Sequence, residues 1–225
     1  MYTKSFRFQE EFYEKLGGLR PELKKMSPLD HARFYLASKY IAGDSLLDIG
    51  SYWGDFLVMA RSKVTELRGT EINDERCRDV NEFLGEDLVC RDFRHGKLEN
   101  FQDRSFDTVV CMEVLEHTDD IGKAAREMLR VARKRVIVTV PYKEEHKEYL
   151  CIHCNKPTPY MNHLHSFDEK EIKELFGRTD CAEIFVFGTR FFYRLGLPLK
   201  VAAALDKIFN FWTKKGKWMF AVIEK

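Results

Sequence analysis

Three carboxylates and two glycines are the residues of this chain whose spacing points most directly to chemistry. Asp48, Gly50, Ser51, Tyr52 and Gly54 fall in the stretch Leu46-Leu-Asp-Ile-Gly-Ser-Tyr-Trp-Gly54, an apolar run that breaks into a loop. Glycines there let a ligand approach the backbone at the carboxyl end of a strand, where open α/β sheets bind ligands. The dinucleotide pattern G-x-G-x-x-G would bring a pyrophosphate onto a helix N-terminus. Here the spacing is Gly50-x-x-x-Gly54, Tyr52 takes the middle place, and Asp48 precedes the loop. A carboxylate at that point repels a pyrophosphate and suits a ligand with an amino group and a sulfonium. Glu71 ends the stretch Thr65-Glu-Leu-Arg-Gly-Thr-Glu71 and could accept both hydroxyls of a ribose. Asp92 ends the next apolar run and could accept from the exocyclic amine of adenine. Each acid alone reads as a solvated strand end. Three in succession beside a glycine loop read as one nucleoside site.

Other residues could move protons or hold a metal. His117, in Val114-Leu-Glu-His117, follows a Val-rich run and is the first candidate for a general base, with bracing of its loop as the competing role. Tyr142 follows Pro141 and could line an acceptor pocket. Cys151-Ile-His-Cys154 has the C-x-x-C spacing of a zinc half-site. His163 and His165, two apart in an extended segment, face the same side and could complete a tetrahedral structural site, with His153 as a spare. Without a metal, the two histidines return to the acceptor site.

The elements that must position these groups alternate. Strands are expected at 45–49, 65–72, 87–92, 106–112 and 136–140, with helices at 53–62, 74–84 and 121–132 between them. That alternation predicts an α/β fold with a parallel sheet and right-handed crossovers. Phe8, Phe12 and Leu16 recur at helical spacing, so 5–16 reads as an amphipathic helix. Ser27, Pro28 and Asp30 predict the start of a second helix that ends before Gly43. Residues 142–165 break the pattern as an inserted loop or lid. Ser166 with Glu169 three residues on predicts a capped helix. Two strands, 183–188 and 217–223, close the chain, with a helix at 197–213 between them. Its Leu197, Val201, Leu205, Ile208 and Trp212 share one side, away from Lys200, Lys207 and Lys214. This stripe would pack on the domain, border the acceptor site or rest on an anionic membrane.

The 225 residues suit one large domain, 44% hydrophobic and 32% charged. A formal net charge of +1, without a basic stripe interleaved with aromatics, gives no footprint for nucleic acid. No apolar run reaches the roughly 18 residues that span a bilayer, and 1–16 lacks the apolar core of a signal peptide. Cys90 and Cys111 lie in apolar runs, which predicts reduced thiols and a cytoplasmic protein.

The segments LLDIGSYWGDF, GTEIN, CRDF, SFDTVVCMEVLEH and RVIVTVP resemble class I S-adenosylmethionine-dependent methyltransferases of the small-molecule type that includes quinone-biosynthesis enzymes. The resemblance covers about 28–188. It implies a Rossmann-like open sheet, mostly parallel with an antiparallel last strand and helices on both faces. It also implies that Asp48 orients the methionine end over Gly50, Ser51 and Gly54, that Glu71 with Ile72 meets the ribose, and that Asp92 with Phe93 meets the adenine. Met112 to Val114, Glu113 among them, would line the cofactor. Tyr52 departs from the family, which commonly has glycine there. The expected partner is a small-molecule, lipid or glycan-precursor methyl acceptor. A nicotinamide oxidoreductase is disfavoured by Asp48 and the glycine spacing. A non-catalytic cofactor-binding or zinc-stabilised interaction protein is the alternative.

Overall fold

The strand order of the main sheet is 3-2-1-4-5-9-8, and it explains why the acids of successive strands can share a site. The computed structural model describes residues 27–152, 154–177 and 181–225, so the helix expected at 5–16 and the spare ligand His153 lie outside the described residues. β1 (Ser45–Ile49) is buried along its whole length. It pairs in parallel with β2 (Glu66–Glu71) on one side and with β4 (Phe106–Met112) on the other. β3 (Val89–Arg91) extends the first side, and β5 (Ala132–Pro141) extends the second. The chain therefore reverses its direction of winding between β1 and β4, the place where such sheets open a crevice at their carboxyl ends.

β9 (Trp218–Glu224) runs antiparallel between β5 and β8 (Glu183–Phe187), as the resemblance implied. Side chains alternate across each strand, and both faces are covered. Leu47, Ile49, Val109 and Val138 pack on one face with Ala125 and Met128 of α4 (Ile121–Val131) and Ile172 of α5 (Glu169–Leu175). Leu46, Val110 and Ile137 pack on the other with Leu36 of α1 (Pro28–Lys39), Phe56 and Leu57 of α2 (Asp55–Ala60), and Val80 of α3 (Asp74–Leu84). Each such large side chain, fully buried, contributes roughly 1.5–3 kcal/mol. α1 begins as expected: Ser27 Oγ accepts from the Asp30 amide at 3.1 Å, with Pro28 in the first turn.

Three local expectations are corrected. Residues 142–165 are not a plain loop but carry a hairpin, β6 (Glu148–Leu150) with β7 (Pro157–Pro159). The cap of α5 is Asp168 rather than Ser166, because Asp168 and Glu171 form a reciprocal capping box. A short helix, α6 (Arg190–Arg194), precedes α7 (Leu199–Thr213).

α7 also docks unexpectedly. Its fully buried anchor is Asp206, which accepts from the Gly188 and Thr189 amides at 2.6 and 3.0 Å, the Tyr193 hydroxyl at 2.9 Å and Asn210 Nδ2 at 2.7 Å. Ala202 and Ala203 complete the packed face. The stripe of Leu197, Val201, Leu205, Ile208 and Trp212 therefore points to solvent, with Trp212 80% exposed. Among the described residues no helix is long and apolar enough to cross a membrane.

Candidate active site

The carboxyl ends of β1 to β4 open into a cavity of about 330 Å³, with Arg33 and Phe34 of α1 in its wall. Asp48, Gly50, Ser51, Tyr52, Glu71, Ile72, Asp92, Phe93 and Glu113 all border it. The strand–loop geometry explains how. The amides of Gly50 and Ser51 both donate to the Thr70 carbonyl, at 2.9 and 2.8 Å, which folds the loop back over β2. Gly50 sits at φ +74°, and a Cβ there would fall 2.4 Å from Val114 Cγ2. The floor of the cavity is therefore bare backbone, open to a ligand.

Gly54 is corrected to a different role. It does not border the cavity. Its φ is +77°, and a Cβ there would lie 2.8 Å from Val80 Cγ1, so it lets α2 start close against α3. Tyr52 also adopts a positive φ, of 51°, and its side chain is more than half exposed. The glycine common at this place in the family matches that backbone conformation, which a tyrosine adopts less easily.

Each acid has its own surroundings. Asp48 is only 3% exposed, and burial pushes its carboxyl pKa up to about 7. Glu71 accepts from the Tyr52 amide at 3.2 Å and the Ile72 amide at 2.9 Å. Burial raises its pKa, while Arg76 and these amides pull the other way. Arg76, itself buried, stands 3.5 Å from Glu71 and lies against the rings of Tyr52 and Trp53. Asp92 accepts from the amides of Phe93, Glu99 and Asn100 at 2.7, 3.0 and 2.9 Å, so it also shapes the loop that carries Phe93. A carboxylate offers about four acceptor positions, which leaves capacity for one more donor. Glu113, at φ 56°, accepts from Thr139 Oγ1 at 3.1 Å and faces Arg33 at 3.7 Å.

The expected acceptor-side residues divide. His117 borders the cavity, and burial, followed by the neighbouring His163, depresses its pKa to about 4. It is a neutral imidazole near neutral pH. Tyr142 is corrected: it does not border the cavity, and its hydroxyl donates to Glu169 at 3.1 Å at the foot of α5. The four expected zinc ligands are not brought together either. Cys151 and Cys154 flank the tip of the β6–β7 hairpin, and none of the six cysteines is in a disulfide. His165 Nε2 lies 2.8 Å from the Thr118 carbonyl, and His163 Nδ1 pairs with Glu144. His163 clusters instead with Glu116 and His117.

Arg33, Phe34 and Arg76 were not foreseen as part of the site. Arg76 had a readable signal: it sits in the first turn of the helix that follows Glu71. Arg33 had none, because only the packing of α1 over the sheet brings it near Glu113.

Residues present thus fit a ligand with a cationic end, a ribose and an adenine: a buried carboxylate, a floor without side chains and two further strand-end acids. Comparison with known proteins agrees. Residues 47–140 match the family model described as a methyltransferase domain. No curated protein matches the chain. Among solved structures, an S-adenosylmethionine-dependent methyltransferase from Thermotoga maritima, a possible histamine N-methyltransferase, has a TM-score of 0.59 at 16% identity, over 98% of this chain and 96% of that one. A complex of the Haloferax volcanii Trm112 methyltransferase activator and a putative methyltransferase gives 0.62 at 15% identity, over 97% and 96%. Phosphoethanolamine N-methyltransferase 2 of Haemonchus contortus, solved with S-adenosyl-L-methionine, gives 0.55 at 15% identity, over 87% of this chain and 52% of that one. At these identities the likeness establishes the fold and nothing of the substrate. Residues 47–140 therefore form a methyltransferase domain, set in a chain whose fold is that of S-adenosylmethionine-dependent methyltransferases.

Proposed function

We propose that the chain transfers a methyl group to a small, partly apolar molecule bound beside His117, Thr118 and Asp119. One observation carries the reading: the single cavity bordered by all three strand-end acids continues to these residues. S-adenosylmethionine, when bound, supplies a methyl group already activated on a sulfonium. The protein's part is then orientation and charge. Asp48 would face the amino-acid end, Glu71 would hold the ribose hydroxyls, and Asp92 would accept from the adenine. Neutral His117 stands at the cavity wall beside the region proposed for the acceptor. The solvent-facing stripe of α7 supports an acceptor presented at a lipid surface.

The test is to incubate the protein with S-adenosylmethionine labelled in its methyl group and an extract divided into lipid, small-molecule, protein and nucleic-acid fractions. Label is expected in the lipid or small-molecule fraction. Label confined to protein or nucleic acid would contradict the reading.

A further inference from the structure

Glu116 is fully buried, and among the described residues neither of its carboxylate oxygens has a hydrogen-bond partner. A bare carboxylate away from water is costly, so this group calls for a proton or a cation. Two imidazoles stand beside it. One ligand atom from each of Glu116, His117 and His163 lies within 4.8 Å of the others. The two rings meet edge to face, 4.8 Å apart between centroids.

The surroundings of the histidines set their tautomers. His117 Nδ1 is 3.2 Å from the Asn162 carbonyl, and His163 Nδ1 is paired with the Glu144 carboxylate. With Nδ1 as the donor in each, the lone pair of each ring sits on Nε2. A histidine that gives one ring nitrogen to a carbonyl or carboxylate and offers the other is how metal-ligating histidines are held. The two segments are also tied together: the Leu164 amide donates to the Glu116 carbonyl at 2.7 Å.

We propose that Glu116, His117 and His163 bind one divalent transition-metal cation, with Zn²⁺ as the fitting occupant. Two imidazoles and one carboxylate match the donor set of zinc and its neighbours rather than that of magnesium or calcium. Three protein ligands leave a coordination position for water or an oxygen donor. His117 belongs both to this cluster and to the cavity wall, so the metal would stand beside the acceptor region. The site is distinct from Cys151 and Cys154, and it does not rest on the methyl-transfer reading.

The experiment uses untagged full-length protein, stripped with chelator and titrated with Zn²⁺ alone, then with Co²⁺ for its visible absorption. One equivalent is expected, with the cobalt spectrum of a nitrogen and oxygen site lacking thiolate charge-transfer bands. Glu116→Gln and His163→Gln should each lose at least 100-fold in affinity, and Glu144→Gln about 10–100-fold. Cys151→Ser with Cys154→Ser should bind as the parent does. S-adenosylhomocysteine binding by the parent and by His163→Gln checks that the proteins are folded and the cofactor site is intact. Undiminished Zn²⁺ affinity in His163→Gln, loss of binding in the double cysteine variant, or no binding by the parent would each overturn the proposal.

Discussion

Arg76 Nη1 stands 3.5 Å from Glu71 Oε1, and both side chains are almost completely sealed from water. The pair places a positive charge behind the carboxylate proposed to meet the ribose. Removing one member of a buried pair leaves the other charge uncompensated, which costs about 3–5 kcal/mol. Arg76→Met should therefore destabilise the protein by about 3 kcal/mol in urea unfolding. Adding Glu71→Gln should restore part of that loss. Purely additive effects would show that the two side chains are not coupled.

The two loop glycines should separate by readout. Gly54→Ala puts a methyl group 2.8 Å from Val80 Cγ1 at a positive φ, and should cost roughly 1–3 kcal/mol of stability. Val80→Ala should make the double variant lose less than the sum, with S-adenosylhomocysteine affinity held within a few-fold. Gly50→Ala should abolish that affinity, because the new methyl group meets Val114 at the cavity floor. Equal losses of affinity in Gly54→Ala and Gly50→Ala would contradict the division of roles.

Asp48 links stability to pH. Its carboxyl titrates at about 7 in the fold and at about 4 in the unfolded chain. Between those values the folded protein keeps a proton that the unfolded chain has released. This residue's contribution to stability therefore falls as pH rises from about 4 to about 7, then levels off. Asp48→Asn removes the effect. Relative to the parent, the variant should gain on the order of 2–3 kcal/mol between pH 5 and pH 8 in urea unfolding. An unchanged gap would show that Asp48 is not held protonated by burial.

The solvent-facing side of α7 makes a surface prediction. Phe211 and Trp212 are 71% and 80% exposed, beside Ile208 at 62%. The protein should co-sediment with anionic phospholipid vesicles at low salt, with a blue shift of Trp fluorescence. Phe211→Ser with Trp212→Ser should release it. No sedimentation of the parent would remove the lipid surface from the account of the acceptor.

Asp48 and Gly50 were legible because they end a buried apolar run, Glu71 and Asp92 because they end the next two strands of the alternation, and parallel strands bring their carboxyl ends together. The direction of α7 was not legible. Its periodic apolar residues look like a packed face, yet Asp206 outcompetes them by capping Gly188 and Thr189. Spacing alone also grouped Cys151 and Cys154 with His163 and His165, a set that the fold does not bring together. Cys151-x-x-Cys154 is a local signal, whereas Glu116 and His163 meet only after the hairpin folds back on the turn that carries His117. Gly54 looked like part of the cofactor loop because its sequence neighbours are. Its side of the loop faces Val80 instead.

Calorimetric titration with S-adenosylhomocysteine tests the cofactor site most directly. The parent should bind one equivalent and should not bind NAD. Glu71→Ala should weaken binding by at least 10-fold, since each hydrogen bond to a charged group contributes roughly 1.5–3 kcal/mol. Unchanged affinity in Glu71→Ala, or NAD binding in place of S-adenosylhomocysteine, would contradict the assignment of the strand-end acids to this cofactor.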